Sequence, residues 1–140
     1  MRLKPLKVDE IDAFLSRLAE EFEVPKPNYC IYKIITVKRL EPFKVGRLTI
    51  KQTGIRAHDV IPFGAAFVEA GGNVCYIVFL LEGTRGISIR RVVHEFFHYL
   101  HYVKRGYKSA QSKEEAEKEE KEVRKQTRKF LNKLRAEWLN

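Results

Sequence analysis

The segment Val92–Leu100 constrains this chain most, because it sets His94, Glu95 and His98 among Val92, Val93, Phe96, Phe97 and Leu100. The apolar residues recur at helical spacing, which reads as a buried or half-buried helix. Residues four apart share one face of a helix, so His94 and His98 aim two imidazole nitrogens at a common point. Glu95 leaves the helix beside that point. Burying two imidazoles and a carboxylate in apolar company is costly unless something satisfies them, and a zinc ion does so. A carboxylate placed there can take a proton from a water that the ion activates. The plainer reading has the histidines capping carbonyls while Glu95 faces water. It suits a lone histidine better than it suits all three residues together.

The ends of that helix are legible. Ser88, after Gly86-Ile87, is the expected N-cap, and Lys104-Arg105 before Gly106 marks a C-terminus. The spacing therefore predicts a helix from about Ile89 to about Arg105. Beyond a loop, Ser112 stands in capping-box spacing to Glu115, and a long charged helix is expected from about Lys113 to about Ala136. Its stripe of Ala116, Val123, Thr127, Phe130, Leu131 and Leu134 requires one face to pack.

A catalytic zinc takes three protein ligands and keeps one position open. His101 lies on the same helix as the pair but is rotated away from it, so it makes a poor third vertex. The acidic run from Glu114 to Glu122 offers several registers. An antiparallel return helix must climb the same height that the first helix covers beyond His98, which puts the ligand about six or seven residues in, near Glu119 or Glu120. Glu120 falls inside the packing stripe, where an unpaired carboxylate is expensive. Glu120 is the expected third ligand, with Glu117, at the edge of the stripe, as the alternative.

Upstream, Val8–Phe22 is an amphipathic helix with Val8, Ile11, Phe14, Leu15, Leu18 and Phe22 on one stripe. Tyr29–Leu40 reads as one long strand broken by Pro42, and Val45–Lys51 as a second strand. Residues 54–62 read as a loop, in which His58 and Asp59 are surface decoration. Gly64–Ala70 reads as a strand, Gly71-Gly72-Asn73 as a hairpin turn, and Val74–Leu81 as a strand buried on both faces. A strand as small-sided as Ala65-Ala66 suits a sheet edge, where free N–H and C=O groups accept an extended peptide.

Length and apolar content fit a single domain over residues 1–140 with one core. No apolar run is long enough for a membrane span and no signal peptide is visible, so the expected setting is cytoplasmic, with no membrane partner. Cys30 and Cys75 read as buried free thiols, with a disulfide open only if their strands are neighbours. The formal net charge of +9 admits acidic partners, nucleic acid included. The excess is scattered, however, and no RNA-binding signature accompanies it, so solvated faces are favoured over a nucleic-acid surface.

With His94-Glu95-Phe96-Phe97-His98, a glutamate on a following helix and a strand–hairpin–strand at Gly64–Leu81, the chain resembles the gluzincin metallopeptidases, and in size their compact archaeal members, the minigluzincins. The resemblance covers roughly residues 45–134. It implies a zincin-like α+β fold with a small mixed or antiparallel sheet, an N-terminal helix, the motif helix and a C-terminal glutamate helix. It also implies a zinc endopeptidase acting on a polypeptide substrate, held in extended form along Ala65, Ala66 and Phe67. Glu95 would be the general base, with Tyr107 the candidate for stabilising the oxyanion. Two other classes stay open: a basic nucleic-acid-associated protein built on a zincin domain, and a zinc domain without turnover. The terminal Trp138-Leu139-Asn140 is expected to dock on the core or, in the sharper reading, to fold into the cleft and hold the enzyme latent.

Overall fold

A computed structural model describes residues 3–36, 39–44, 64–71, 74–81 and 86–139, with 33–36, 39–44, 70–71 and 138–139 described by backbone alone. The apolar stripe near the N-terminus becomes the inner face of helix α1 (Val8–Glu21), burying Ile11, Phe14, Leu15 and Leu18. At its start the Glu10 carboxylate accepts a hydrogen bond from the Lys7 N–H at 2.8 Å. At its end, Glu23 N–H donates to Glu20 C=O and Val24 N–H to Ala19 C=O, the paired bonds of a Schellman motif. That motif puts Glu23 in the left-handed region, at φ 54°.

Four strands follow: β1 (Asn28–Thr36), β2 (Arg39–Lys44), β3 (Ala65–Gly71) and β4 (Val74–Leu81). They form one sheet in the order β2-β1-β4-β3, with β1 parallel to β4 and the other two pairs antiparallel. The sheet is therefore mixed and the class α+β. The stretch expected as one strand to Leu40 is instead a hairpin, and Pro42 sits inside β2 opposite Tyr32. Among the described strands β2 lies at the edge of the sheet, where a missing N–H need not break a ladder bond and proline is tolerated. The expected strand Val45–Lys51, the loop 54–62 and the His58-Asp59 pair lie outside the described residues.

β4 is buried on both faces, as its unbroken apolar run requires. Cys75, Ile77, Phe79 and Leu81 join the main core, while Tyr76, Val78 and Leu80 pack with Cys30 and Tyr32 on the opposite face. Cys30 and Cys75 thus occupy neighbouring strands but opposite faces, and both are free thiols. Burial pushes Cys30 up to about 12 and Cys75 up to about 11, the charge of Glu69 adding to the latter.

Helices α2 (Ile89–Lys104) and α3 (Lys113–Leu139) complete the main core. Ser112 caps α3 as its spacing suggests, its Oγ accepting the Glu115 N–H at 3.1 Å, and the Glu115 carboxylate accepts the N–H of Gln111 at 2.6 Å. Ser88 holds the N-cap position of α2 but makes no side-chain capping bond. Phe22 binds the three helices together, its ring 5.7 Å from Phe96, 5.4 Å from Phe97 and 5.8 Å from Phe130. Burying side chains of this size contributes roughly 1.5–3 kcal/mol each. On the expected α3 stripe Val123, Thr127, Phe130, Leu131 and Leu134 are buried, while Ala116 is exposed. α3 stays helical to Leu139, so its last turn lies about 28 Å along the axis from Glu120. The backbone continues away from Glu120 and does not fold back. No helix among the described residues is long and apolar enough to cross a membrane.

A non-glycine residue in the left-handed region costs roughly 1–2 kcal/mol. Replacing the exposed Glu23 by glycine therefore raises stability by about 0.5–1 kcal/mol once the looser unfolded chain is allowed for. Urea denaturation of Glu23→Gly checks this, and a lower midpoint refutes it.

Candidate metal centre

The apolar face of α2 locks the helix in rotation, with Val92, Val93, Phe96, Phe97 and Leu100 buried against the sheet and α3. That rotation leaves His94, Glu95 and His98 half-buried along a cleft of about 970 Å³. The cleft is walled by β3 (Ala65 to Glu69), by α2, and by Glu119, Glu120, Arg124 and Thr127 of α3. The two imidazole rings lie 4.9 Å apart, edge to face.

α3 returns antiparallel and sets Glu120 across from them. Its Oε1 is 3.2 Å from His94 Nε2 and its Oε2 is 2.8 Å from His98 Nε2. His94, His98 and Glu120 each offer a ligand atom within 4.8 Å of the others. Glu117, the alternative, is exposed and outside the cleft. His101 turns away and pairs with Gln126, Nε2 to Oε1 at 2.9 Å.

Burial pushes Glu95 up to about 7, against the opposing pull of His98 and of a hydrogen bond from the Phe67 backbone. For His94, burial lowers the pKa and the charge of Glu120 raises it; with His98 and Arg124 nearby the net shift is downward. Both groups therefore tend towards neutrality. Two imidazole nitrogens with one carboxylate form a donor set that suits zinc. Ligand atoms on a tetrahedral zinc stand roughly 3.3–3.5 Å apart, and the three groups here, within 4.8 Å of one another, need only small side-chain adjustments to meet that spacing.

β3 is an edge of the sheet among the described strands. Gly64 C=O accepts the N–H of Leu80 at 2.9 Å. In an alternating antiparallel ladder Ala66 and Val68 then face β4, while Ala65 and Phe67 turn their N–H and C=O outward. Of the residues expected to hold an extended chain, Ala65 and Phe67 turn their backbone groups outward, the Phe67 N–H towards Glu95, and Ala66 spends its own on β4. The Phe67 ring packs on Tyr102 at 5.5 Å and Tyr99 at 6.2 Å, which fastens β3 to α2.

Tyr107 is not among the cleft residues. It ends α2: Gly106 (φ 72°) and Tyr107 (φ 63°) are both left-handed, Gly106 N–H donates to Val103 C=O, and Tyr107 N–H donates to Tyr102 C=O. The Tyr107 ring lies 5.7 Å from Tyr102, the apolar contact that accompanies a Schellman motif. Ring packing and the cap account for its place at the helix end.

Glu119 carries a role that sequence reasoning left unassigned. His98 Nδ1–H donates to its Oε2 at 2.8 Å, and Arg105 pairs with its other oxygen. Burial pushes Glu119 up, but Arg105 and His98 outweigh that and hold it below the usual carboxylate range. Arg105 also stands 3.8 Å from Glu69, which accepts from Ser109 Oγ. An acidic run hides this position, since neighbouring glutamates look alike until the helix rotation is known. No protein family, curated protein or solved structure matches the chain.

Since Tyr107 is held by ring packing, Tyr107→Phe leaves the melting temperature unchanged, whereas Tyr107→Ala lowers stability by about 1–2 kcal/mol. Thermal unfolding of both variants decides it. A loss in the phenylalanine variant equal to that in the alanine variant assigns the role to the hydroxyl instead.

Proposed function

We propose that this domain is a zincin-like, zinc-dependent peptidase of the gluzincin type, with His94, His98 and Glu120 as ligands and Glu95 as general base. One observation carries the reading: two helices bring these ligand atoms within 4.8 Å of one another beside Glu95, in a cleft walled by a sheet edge. A closed structural zinc site has no use for an open cleft of about 970 Å³ at its side, which favours turnover.

Zinc bound here would supply a water of lowered pKa and polarise the scissile carbonyl. The protein does the rest. The outward N–H and C=O groups of Ala65 and Phe67 hold an extended polypeptide by strand addition. In the free protein Phe67 N–H is engaged by Glu95. A docked strand takes that N–H and releases the Glu95 carboxylate to face the water. Glu95 accepts the water proton as the oxygen–carbon bond forms, then delivers it to the amine nitrogen as the carbon–nitrogen bond breaks. Glu119, anchored by Arg105, holds the Nδ1 proton of His98, which leaves the Nε2 lone pair to serve the metal.

Metal analysis with a general peptidase assay tests this. Glu95→Gln keeps stoichiometric zinc while hydrolysis falls about a hundredfold or more. Near-parental turnover, or loss of the metal, removes the role assigned to Glu95. In chelator competition Glu120→Ala loses zinc, Glu119→Gln binds it about 10–100-fold more weakly, and Glu117→Ala matches the parent. Equal affinities across the three variants would overturn the ligand set.

A further inference from the structure

α2 begins with charge of the unfavourable sign. Its first turn holds Arg90 and Arg91 and no acidic residue, although free N–H groups and the macrodipole at a helix start favour anions. The Ser88 hydroxyl accepts no capping bond there, so the first N–H groups stay open. Neither arginine forms an ion pair among the described residues, and both line the cleft with Arg124 and Thr127. The Arg91 guanidinium lies across Gly64 so closely that a Cβ there would sit 2.6 Å from Cζ and Nη1. Gly64, at φ +73°, leaves that space open at the head of β3.

These groups share one end of the cleft. β3 and α2 run past it in the same direction: Gly64 beside Arg91, Phe67 beside Glu95, Glu69 beside Arg105. α3 runs the other way, so from Glu120 it continues through Arg124 and Thr127 towards Arg90 and Arg91. Thr127 is 1% exposed, and its Oγ1 has no hydrogen-bond partner. An orphaned buried hydroxyl on the cleft wall is a donor awaiting an acceptor. At the far end Arg105 engages the carboxylates of Glu69 and Glu119. Among the described residues the basic end is left uncompensated.

We infer that this end is a carboxylate subsite, and that the substrate is an extended polypeptide with an acidic side chain near the scissile bond. Guanidinium groups hold a carboxylate through paired hydrogen bonds, and the Thr127 hydroxyl adds a third donor. The inference rests on the peptidase reading of the adjoining centre. A continuous phosphate chain fits less well, because Glu69, Glu95, Glu119 and Glu120 line the rest of the same cleft.

Binding and cleavage are read separately. In the Glu95→Gln protein, fluorescence anisotropy compares labelled peptides that differ at one position, carrying Glu, Gln or Lys. The Glu peptide binds about tenfold more tightly than the Gln peptide, and the advantage shrinks as salt rises. Adding Arg90→Glu and Arg91→Glu reverses the order in favour of Lys without lowering the melting temperature, because glutamates suit a helix start. Cleavage of the same peptides by protein with Glu95 intact follows the same order. Equal binding of the three peptides, or an unchanged order in the arginine variant, overturns the subsite even if zinc-dependent cleavage is found. Acid-selective binding that the arginine variant loses, with no peptide cleaved, keeps the subsite and removes the peptidase reading. An oligonucleotide that displaces the acidic peptide at matched charge overturns it in favour of nucleic acid.

Discussion

His98 holds two carboxylates at once, Glu119 through Nδ1 and Glu120 through Nε2, both at 2.8 Å. That double contact depends on the register of α2 against α3. A step of one residue turns a helix by about 100°, which would carry one glutamate into solvent and leave the imidazole short of a partner in a half-buried site. The register is therefore defended from elsewhere. Phe22, Phe96, Phe97 and Phe130 interlock at ring separations of 5.4 to 6.3 Å, and shifting such a cluster would open voids in a close-packed core.

The sheet contributes position more than chemistry. β4, buried on both faces, anchors β3 through their ladder, and the Phe67 ring wedged against Tyr99 and Tyr102 sets how near the edge strand comes to α2. Tyr99 is itself tied to the α1–β1 loop, its hydroxyl donating to Pro25 C=O at 2.6 Å. A strand edge and the Glu95 carboxylate thus end up within one hydrogen bond of each other, Phe67 N–H to Glu95. In the proposed peptidase, substrate binding and proton transfer compete for that one backbone donor.

Charge is distributed along the cleft in a graded way. Arg105 neutralises the end near Glu69 and Glu119, the histidines and Glu120 occupy the middle, and Arg90 and Arg91 leave the other end positive. Arg124, 3.3 Å from Glu120, joins the middle to that basic end. A formal net charge of +9 reads from sequence as scattered surface charge, and much of it is. The excess that matters here is local.

The sequence by itself determined the local elements and their faces. The 3.6-residue apolar period in α1, α2 and α3 follows from each helix needing one buried stripe, and the Ser112 cap and Gly106 stop are contacts between near neighbours. Glu120 was legible for the same reason, since a carboxylate inside an apolar stripe announces a partner. Pairing over distance was not legible. The pairing of β1 with a strand that contains Pro42 suits the place of β2 at the edge of the described strands, which only the strand order decides. Tyr107 resembled a site residue because the Schellman contact with Tyr102 is invisible without backbone angles. Glu119, Arg105 and the basic end at Gly64 were hidden because side chains of one charge type are interchangeable along a sequence. They differ only once helix rotation and strand position fix which of them point into the same small volume, where Coulomb and hydrogen-bond terms act over a few ångströms.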